Sequence, residues 1–350
     1  MEDYHDQVPM PVTNVPHHPA RRVRIEDQRK KAEVSDENHR TDETNDKENK
    51  DDKAKDVDLK CSESSSTVSK NIKDAVEHQP LLDPLSQIDN WVPETITIGA
   101  LPALLYLNES VFEKTASELE DSEEILSKTL NQNSDLISGV YEGGLKIWEC
   151  TYDLLEYVDD EGETFTGKRV LDLGCGAGLL GILALKRGAT KVDFQDYNST
   201  VIEQLTIPNV FLNCEEDDKN DEKNDSPPSK RKALNASEKL VDRCGFFSGD
   251  WNSFLGLVRN KTPSLKYDII FTSETIYNTD YYSSLHNVFN DLLDENGIVY
   301  LATKSHYFGV GGGLHLFEKF VEQNNVFQIR YLKDVEQGLK RHVISLTFKK

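Results

Sequence analysis

No stretch of this chain is apolar for long enough to cross a bilayer. The longest such run, Ile98 to Leu107, is broken by Gly99 and Pro102 and falls well short of the ~20 residues a spanning helix needs. Cysteine is scarce and scattered: Cys61, Cys150, Cys175, Cys214 and Cys244 are odd in number, with no C-x-x-C pair. This excludes a disulfide framework or a cysteine-rich zinc site and points to a reducing compartment. The opening residues, MEDYHDQVPM, are polar, so no secretory signal is expected. Positive charge is the other shortage. The formal net charge is −22, of which only about −5 falls in residues 1–78, so the part expected to fold is itself strongly acidic. Such a body is not drawn to nucleic acid or anionic membrane and suits a basic partner, although acidity also serves solubility alone.

Residues 1–78 are charged and poor in aromatics, with runs such as NDKENKDDKAKDVD. They bury too little apolar area to offset chain entropy, and disorder is expected. Arg21-Arg22-Val23-Arg24 with Arg29-Lys30-Lys31 reads as a solvated charge run ahead of a nuclear import signal. Residues 79–140 are expected to be a lead-in of short strands, with a helix near residues 109–130, packed on a catalytic domain at 141–350. Residues 215–238, EEDDKNDEKNDSPPSKRKALNASE, form a polar insertion expected to be a disordered loop. Within it, Ser226-Pro227-Pro228 lacks the following aromatic residue and preceding strand of a nucleic-acid methyltransferase box.

What the chain does carry is VLDLGCGAGLLGI, Val170 to Ile182. An apolar strand breaks into glycines at Gly174, Gly176 and Gly178, and a helical run follows. Bare backbone there lets a nucleotide-bearing cofactor come close. Gly176, Gly178 and Gly181 satisfy the general G-x-G-x-x-G pattern, compatible with NAD. Asp172, inside the strand, is more selective. A buried carboxylate costs several kcal/mol, roughly, unless it is paired. S-adenosylmethionine, carrying an ammonium and a sulfonium, supplies a partner, whereas a pyrophosphate is repelled. A strand-turn-helix without a ligand is the alternative.

The remaining elements alternate. Leu145, Trp148, Tyr152 and Leu155 predict an amphipathic helix over 143–155. A second strand, 191–195, ends in Asp196, placed about twenty residues past the glycines to accept hydrogen bonds from a ribose. Cys244 to Ser248 is a third strand ending in Gly249-Asp250-Trp251, where a carboxylate and an indole suit an adenine; a helix cap beside a core tryptophan is the alternative. Tyr267 to Thr272 is a fourth strand, with Ser273-Glu274-Thr275-Ile276-Tyr277-Asn278 leaving its carboxyl end. A helix at 281–293 and a fifth strand at 298–303 come next, followed by Ser305-His306-Tyr307-Phe308-Gly309-Val310-Gly311-Gly312-Gly313, read as a flexible lip because no Gly-Lys-Ser/Thr follows. Another helix at 314–322 and a closing hairpin, 326–332 with 342–348, complete the chain. The expected fold is α/β: a doubly wound, mostly parallel seven-stranded sheet with an antiparallel edge.

The stretches SGVYEGGLKIWECTYDLL, VLDLGCGAGLLGI, FQDYNSTVIEQLTIPNV, FFSGDW, YDIIFTSETIYN and KSHYFGVGGGLHLFEKFVE, within about residues 137–348, resemble the eukaryotic protein-histidine N-methyltransferases of the seven-stranded class. The resemblance implies transfer of a methyl group from S-adenosylmethionine to the imidazole nitrogen remote from the main chain, in a histidine of a basic large-subunit ribosomal protein. Carried over by motif, Ile147, Trp148, Glu149, Cys150, Thr151, Asp172, Gly174, Gly176, Gln195, Asp196, Tyr197, Gly249, Asp250, Trp251 and Ser273 are the expected cofactor contacts. Glu274 is the first choice for the group that orients the substrate imidazole, with Tyr277 and Asn278 nearby; His306, Tyr307, Phe308 and Gly309 are expected to form a substrate lip. A monomer in the cytoplasm and nucleus, without a metal, membrane or direct nucleic-acid partner, is expected. The competing readings are a protein-lysine methyltransferase, which Glu274-Thr-Ile-Tyr277 also fits, a non-catalytic escort of a ribosomal protein, and a dehydrogenase.

Overall fold

The computed structural model describes residues 21–23, 73–80, 92–107, 136, 141–214 and 242–350. Its strands are β1 (Arg21–Val23), β2 (Val76–His78), β3 (Glu94–Ile96), β4 (Leu104–Tyr106), β5 (Arg169–Leu173), β6 (Lys191–Asp196), β7 (Cys244–Ser248), β8 (Tyr267–Ser273), β9 (Leu293–Lys304), β10 (Phe327–Val335) and β11 (Arg341–Phe348). The longer helices between these strands are, among the described residues, α1 (Glu149–Asp160), α2 (Leu179–Lys186), α3 (199–214), α4 (Trp251–Lys261), α5 (Tyr282–Leu292) and α6 (Leu314–Asn324).

The main sheet runs β10-β11-β9-β8-β5-β6-β7-β2. Pairs β7/β6, β6/β5, β5/β8 and β8/β9 are parallel, and β11 and β10 return antiparallel. Strand neighbours alternate faces, as period-2 side chains must. Val170, Ile269, Phe271, Tyr300 and Val343 join the core under α1, α2 and α3. Leu171, Leu173, Ile270, Val299, Leu301 and Ile344 join the core under α4, α5 and α6. Burial on both faces explains why the central strands read as continuous apolar runs. The chain leaves β5 in one direction for β6 and β7 and returns on its other side as β8. That reversal opens a crevice at the carboxyl ends of the strands.

Strands β5 to β11 are the seven expected ones, and β2 adds an eighth. It pairs antiparallel with β7, Val76 opposite Ser248 and His78 opposite Phe246, and His78 places its ring nitrogens 2.9 Å from Glu203 and 2.8 Å from Ser248 Oγ. Disorder through residue 78 is therefore overturned at that boundary. Three strand residues make no readable period, and their backbone is satisfied by a partner strand some 170 positions away. The helix of 143–155 is also corrected. It begins at Glu149, with Trp148 extended at the cap position (φ −89°, ψ 158°), and Leu145 and Trp148 belong to a preceding turn that Trp148 Nε1 closes by donating to Gly143 O at 3.1 Å.

Strands β3 and β4 form a small separate sheet with β1. Asn213 and Asn209 of α3 accept from the Leu105 and Leu107 amides at 2.9 and 2.7 Å, docking this lead-in on the larger unit. The helix expected near 109–130 and the loop expected at 215–238 lie outside the described residues. Among the described residues no helix is long and apolar enough to cross a membrane.

One buried ion pair locks α1 to the sheet. Arg341 Nε of β11 donates to Asp153 Oδ2 at 2.6 Å, with both side chains 1% exposed. Removing one partner strands a charge in a dry place, at a cost of about 3–5 kcal/mol. Asp153→Ala is expected to lower the urea unfolding free energy by about that much, and Asp153→Leu with Arg341→Met to recover most of it. A loss below about 1 kcal/mol for the single variant would show that the pair contributes little.

Candidate functional site

The glycine stretch folds as a strand, a tight turn and a helix. Gly174, Gly176 and Gly178 have φ of +69°, +49° and +76°, a region that L side chains enter only at a cost. Gly176 is also sterically bare by necessity, since a Cβ there would lie 2.9 Å from Gly144 O. Gly181 serves packing: its missing side chain leaves room for the Phe194 ring. Behind the turn, α3 contains a π-helical segment, Ile202–Thr206. This bulge brings Thr206 Oγ1 within 2.7 Å of Gly176 O, to which it donates, and Asn209 Nδ2 donates to Ala177 O at 3.0 Å. π-bulges recur at functional sites because they redirect one side chain without ending the helix. Thr206 and Asn209 lie within the FQDYNSTVIEQLTIPNV stretch, but nothing local to them marks a bracing role, so sequence reasoning missed it.

Above this turn lies a cleft with about 920 Å³ of open space. Asp172 is at its floor, 1% exposed. Oδ2 accepts from the Gly181 amide at 2.8 Å. Burial dominates, opposed by that hydrogen bond and reinforced by the like charge of Asp196, and the carboxyl is pushed up to about 8. Asp196, at the end of β6, accepts from the amides of Gly176 and Asn198, both at 3.1 Å, and burial lifts it to about 6. Two desolvated acids facing one cleft favour a ligand with a cationic part and hydroxyl donors. The charge and donor set thus fit S-adenosylmethionine.

The predicted contacts separate into two groups. Ile147, Trp148, Thr151, Asp172, Gly174, Gly176, Asp196, Tyr197, Gly249, Asp250, Trp251 and Ser273 line the cleft. Glu149, Cys150 and Gln195 do not line it, which corrects their expected position. Gln195 is fully buried, where Oε1 accepts from Trp251 Nε1 at 2.9 Å and Nε2 donates to Gly249 O at 2.9 Å; it orients the indole from behind. Glu149 and Cys150 face the sheet because a helix shows only part of its first turn to the cleft, and Thr151 takes that place, donating to Ser273 Oγ at 3.1 Å. Asp250 caps α4, accepting from Asn252 N at 2.8 Å, and also lines the cleft.

Glu274 and Tyr277 also face the cleft. Asn278 does not; its side chain accepts from Asp280 N at 3.0 Å and caps the short helix Thr279–Tyr281. Glu274 follows the last residue of β8 with φ +58°, a left-handed conformation costing roughly 1–2 kcal/mol in a residue with a Cβ. It is nearly buried, and its Oε1 accepts from Cys150 N at 3.5 Å. Glu142, which sequence reasoning missed, accepts from Tyr281 at 2.9 Å and from Tyr277, pinning the 141–148 turn across the cleft. Burial, then Glu142, holds the Tyr277 hydroxyl well above its ordinary value.

None of His306, Tyr307, Phe308 and Gly309 lines the cleft. Tyr307 is buried, its hydroxyl 3.1 Å from Thr303 Oγ1 and its ring set edge-on to Tyr277. Phe308 is 49% exposed beside His306. The glycines of this segment allow contact with the site's rim: Gly312 donates to Tyr277 O at 2.8 Å, and a Cβ there would lie 2.3 Å from Ile276 O.

The folded-state pKa of Asp172 lies above its ordinary 3.8, so its contribution to stability is present at acid pH and is lost as pH rises towards about 8. Thermal midpoints of the ligand-free protein measured across that interval are expected to fall less steeply for Asp172→Asn than for the parent. Equal slopes would show that Asp172 is not desolvated as described.

Residues 150–342 match a family model described as a methyltransferase domain, more than half of the chain. The chain is 51% identical over 280 residues to the histidine protein methyltransferase 1 homolog of Bos taurus, covering 79% of this chain and 74% of that protein. It is 48% identical to the Mus musculus homolog, covering 79% and 78%. The protein N-terminal and lysine N-methyltransferase EFM7 of Kluyveromyces lactis is more distant, 26% identical over 58% of this chain and 68% of its own length. The strand-turn-helix floor, the acid-lined cleft and these matches agree: the chain belongs to the histidine protein methyltransferases, which use S-adenosylmethionine to methylate a histidine of a protein substrate.

Proposed function

We propose that this enzyme methylates the imidazole nitrogen remote from the main chain, in a histidine of a basic large-subunit ribosomal protein, with Glu274 orienting the ring. The observation that carries the reading is the placement of Glu274: a carboxylate held in strained backbone at the carboxyl end of β8, on the wall of the cleft beside Ser273. The net negative charge of the chain and the family resemblance support a basic ribosomal protein as partner.

When bound, S-adenosylmethionine supplies an electrophilic methyl group on a sulfonium. Asp172, Gly174 and Gly176 form the floor that holds it, Asp196 and Tyr197 take the ribose end, and Gly249, Asp250 and Trp251 take the adenine end; Ile147, Trp148, Thr151 and Ser273 close the side nearest Glu274. A neutral imidazole already has a lone pair on one nitrogen, so no strong base is required. What remains for the protein is alignment and choice of tautomer. Glu274 accepts a hydrogen bond from the ring N–H nearer the main chain, which leaves the remote nitrogen free to react. The same carboxylate, with the faces of Trp148 and Tyr277, stabilises the imidazolium that forms. Phe308 and His306 meet the substrate protein outside the cleft. The enzyme works as a monomer in the cytoplasm and nucleus.

Labelled S-adenosylmethionine and this enzyme, incubated with extract from cells lacking it, are expected to yield one dominant labelled band among large-subunit ribosomal proteins, releasing remote-nitrogen methylhistidine on hydrolysis. Methyllysine, or the isomer methylated at the nearer nitrogen, would overturn the reading. With the mapped substrate, Glu274→Ala and Glu274→Gln are expected to lower kcat by about 10²-fold or more, while calorimetry gives unchanged affinity for S-adenosylhomocysteine. Full turnover by both would remove Glu274 from the mechanism.

A further inference from the structure

Behind the cleft wall, at the last residue of β9 and the first of the KSHYFGVGGG stretch, sits a lysine to which the sequence assigned no role. Lys304 is 4% exposed. Its Nζ lies 3.2 Å from Glu149 Oε2 and 3.8 Å from Glu274 Oε1. The same ammonium lies over the ring of Trp148 at 5.1 Å and of Tyr307 at 5.9 Å from the centroids. Glu274 and Trp148 line the cleft, whereas Lys304 and Glu149 stand behind them. Lys304 therefore touches the reaction space only through its neighbours.

Its position is well anchored. The Lys304 amide donates to the Tyr307 hydroxyl at 3.3 Å. Ser305, the next residue, donates its amide to Lys340 O at 2.8 Å and places Oγ 2.6 Å from His342 Nε2, whose Nδ1 is 2.6 Å from Asp334 Oδ1. This chain ties the end of β9 to β10 and β11.

Two carboxylates share one ammonium in a nearly dry site. Other charged or titratable groups around them are Cys150 and Asp153 of α1, Tyr307 beyond β9, and Arg341 of β11. Arg341 is paired with Asp153 and also acts on Glu149 and Cys150. Burial, and then Glu274, raises both the Cys150 thiol and the Tyr307 hydroxyl well above their ordinary values, so both stay neutral beside the carboxylates. Lys304 reaches Glu149 and Glu274 at 3.2 and 3.8 Å, and removing it takes away the attraction that draws both side chains to one point.

We infer that Lys304 is a positioning residue for methyl transfer: with Glu149 as counter-charge on its far side, it holds the Glu274 side chain in place on the cleft wall. This rests on the role of Glu274 proposed above. A Glu274 side chain left to move cannot select the tautomer of the substrate.

The test uses the full chain, labelled S-adenosylmethionine and total large-subunit ribosomal proteins as acceptor. K304M is expected to lose about tenfold or more in kcat, with KM for the acceptor and S-adenosylhomocysteine affinity within about twofold of the parent. K304R should recover most of the rate. In K304M/E274Q the rate should be no lower than in E274Q alone, because the lysine acts through the glutamate. If K304M does not fold, K304M/E149Q removes the opposite charges together and should fold, again with the loss confined to kcat. A loss carried by KM or by cofactor affinity in either folded variant would overturn the inference, as would fully additive losses in K304M/E274Q. Full turnover by E274Q would withdraw the role of Glu274, and this inference with it, whereas a slow E274Q beside a normal K304M overturns only the present one.

Discussion

Placing a carboxylate where water cannot reach it is among the most costly things a small fold does, and this cleft does so twice. Asp172 and Asp196 sit at the ends of neighbouring strands, each desolvated enough to hold its proton well above the ordinary carboxylate range. Backbone amides recover part of that cost, Gly181 for one and Gly176 and Asn198 for the other. An opposite charge in the ligand recovers more. The rest of the site follows from that requirement: a turn of glycines in left-handed conformations, so that nothing but backbone stands between the acids and the cofactor, and a π-bulge in α3 whose threonine braces the turn.

The two-faced sheet makes such a floor stable. Packing on both sides fixes β5, β6 and β8 in register, so their carboxyl ends form one rim. A residue at the rim is then carried by an element that cannot relax towards it. Glu274 shows the consequence, since it keeps a left-handed backbone that an isolated peptide would abandon. The same rigidity lets Gln195 steer Trp251 from a fully buried position.

Electrostatically, the molecule separates two problems. The net acidity of the chain is a long-range field that salt screens. Charges near the cleft act over a few ångströms in a dry environment, and there opposite signs are paired locally: Arg341 with Asp153, Lys304 between Glu149 and Glu274. Arg341 and Lys304 stand behind the wall while Asp172, Asp196 and Glu274 face the cleft, which suits a reaction whose methyl donor is positively charged.

Much of this was written locally in the chain. A strand, three glycines and a helix within thirteen residues, with an acid inside the strand and another at the end of the next, identify the cofactor pocket, because positive φ and strand-end placement are properties of short segments. The alternation of strands and helices likewise determines a doubly wound sheet. Long-range packing alone decided the rest. Residues 76–78 were illegible because their partner strand is far away, and Trp148 left its expected helix because an indole hydrogen bond closed a turn instead. Glu149, Cys150 and Gln195 were assigned to the right segments and the wrong side of the wall. Which way a side chain points depends on what packs behind it, and Lys304 meets Glu149 and Glu274 only because the sheet brings the ends of distant segments together.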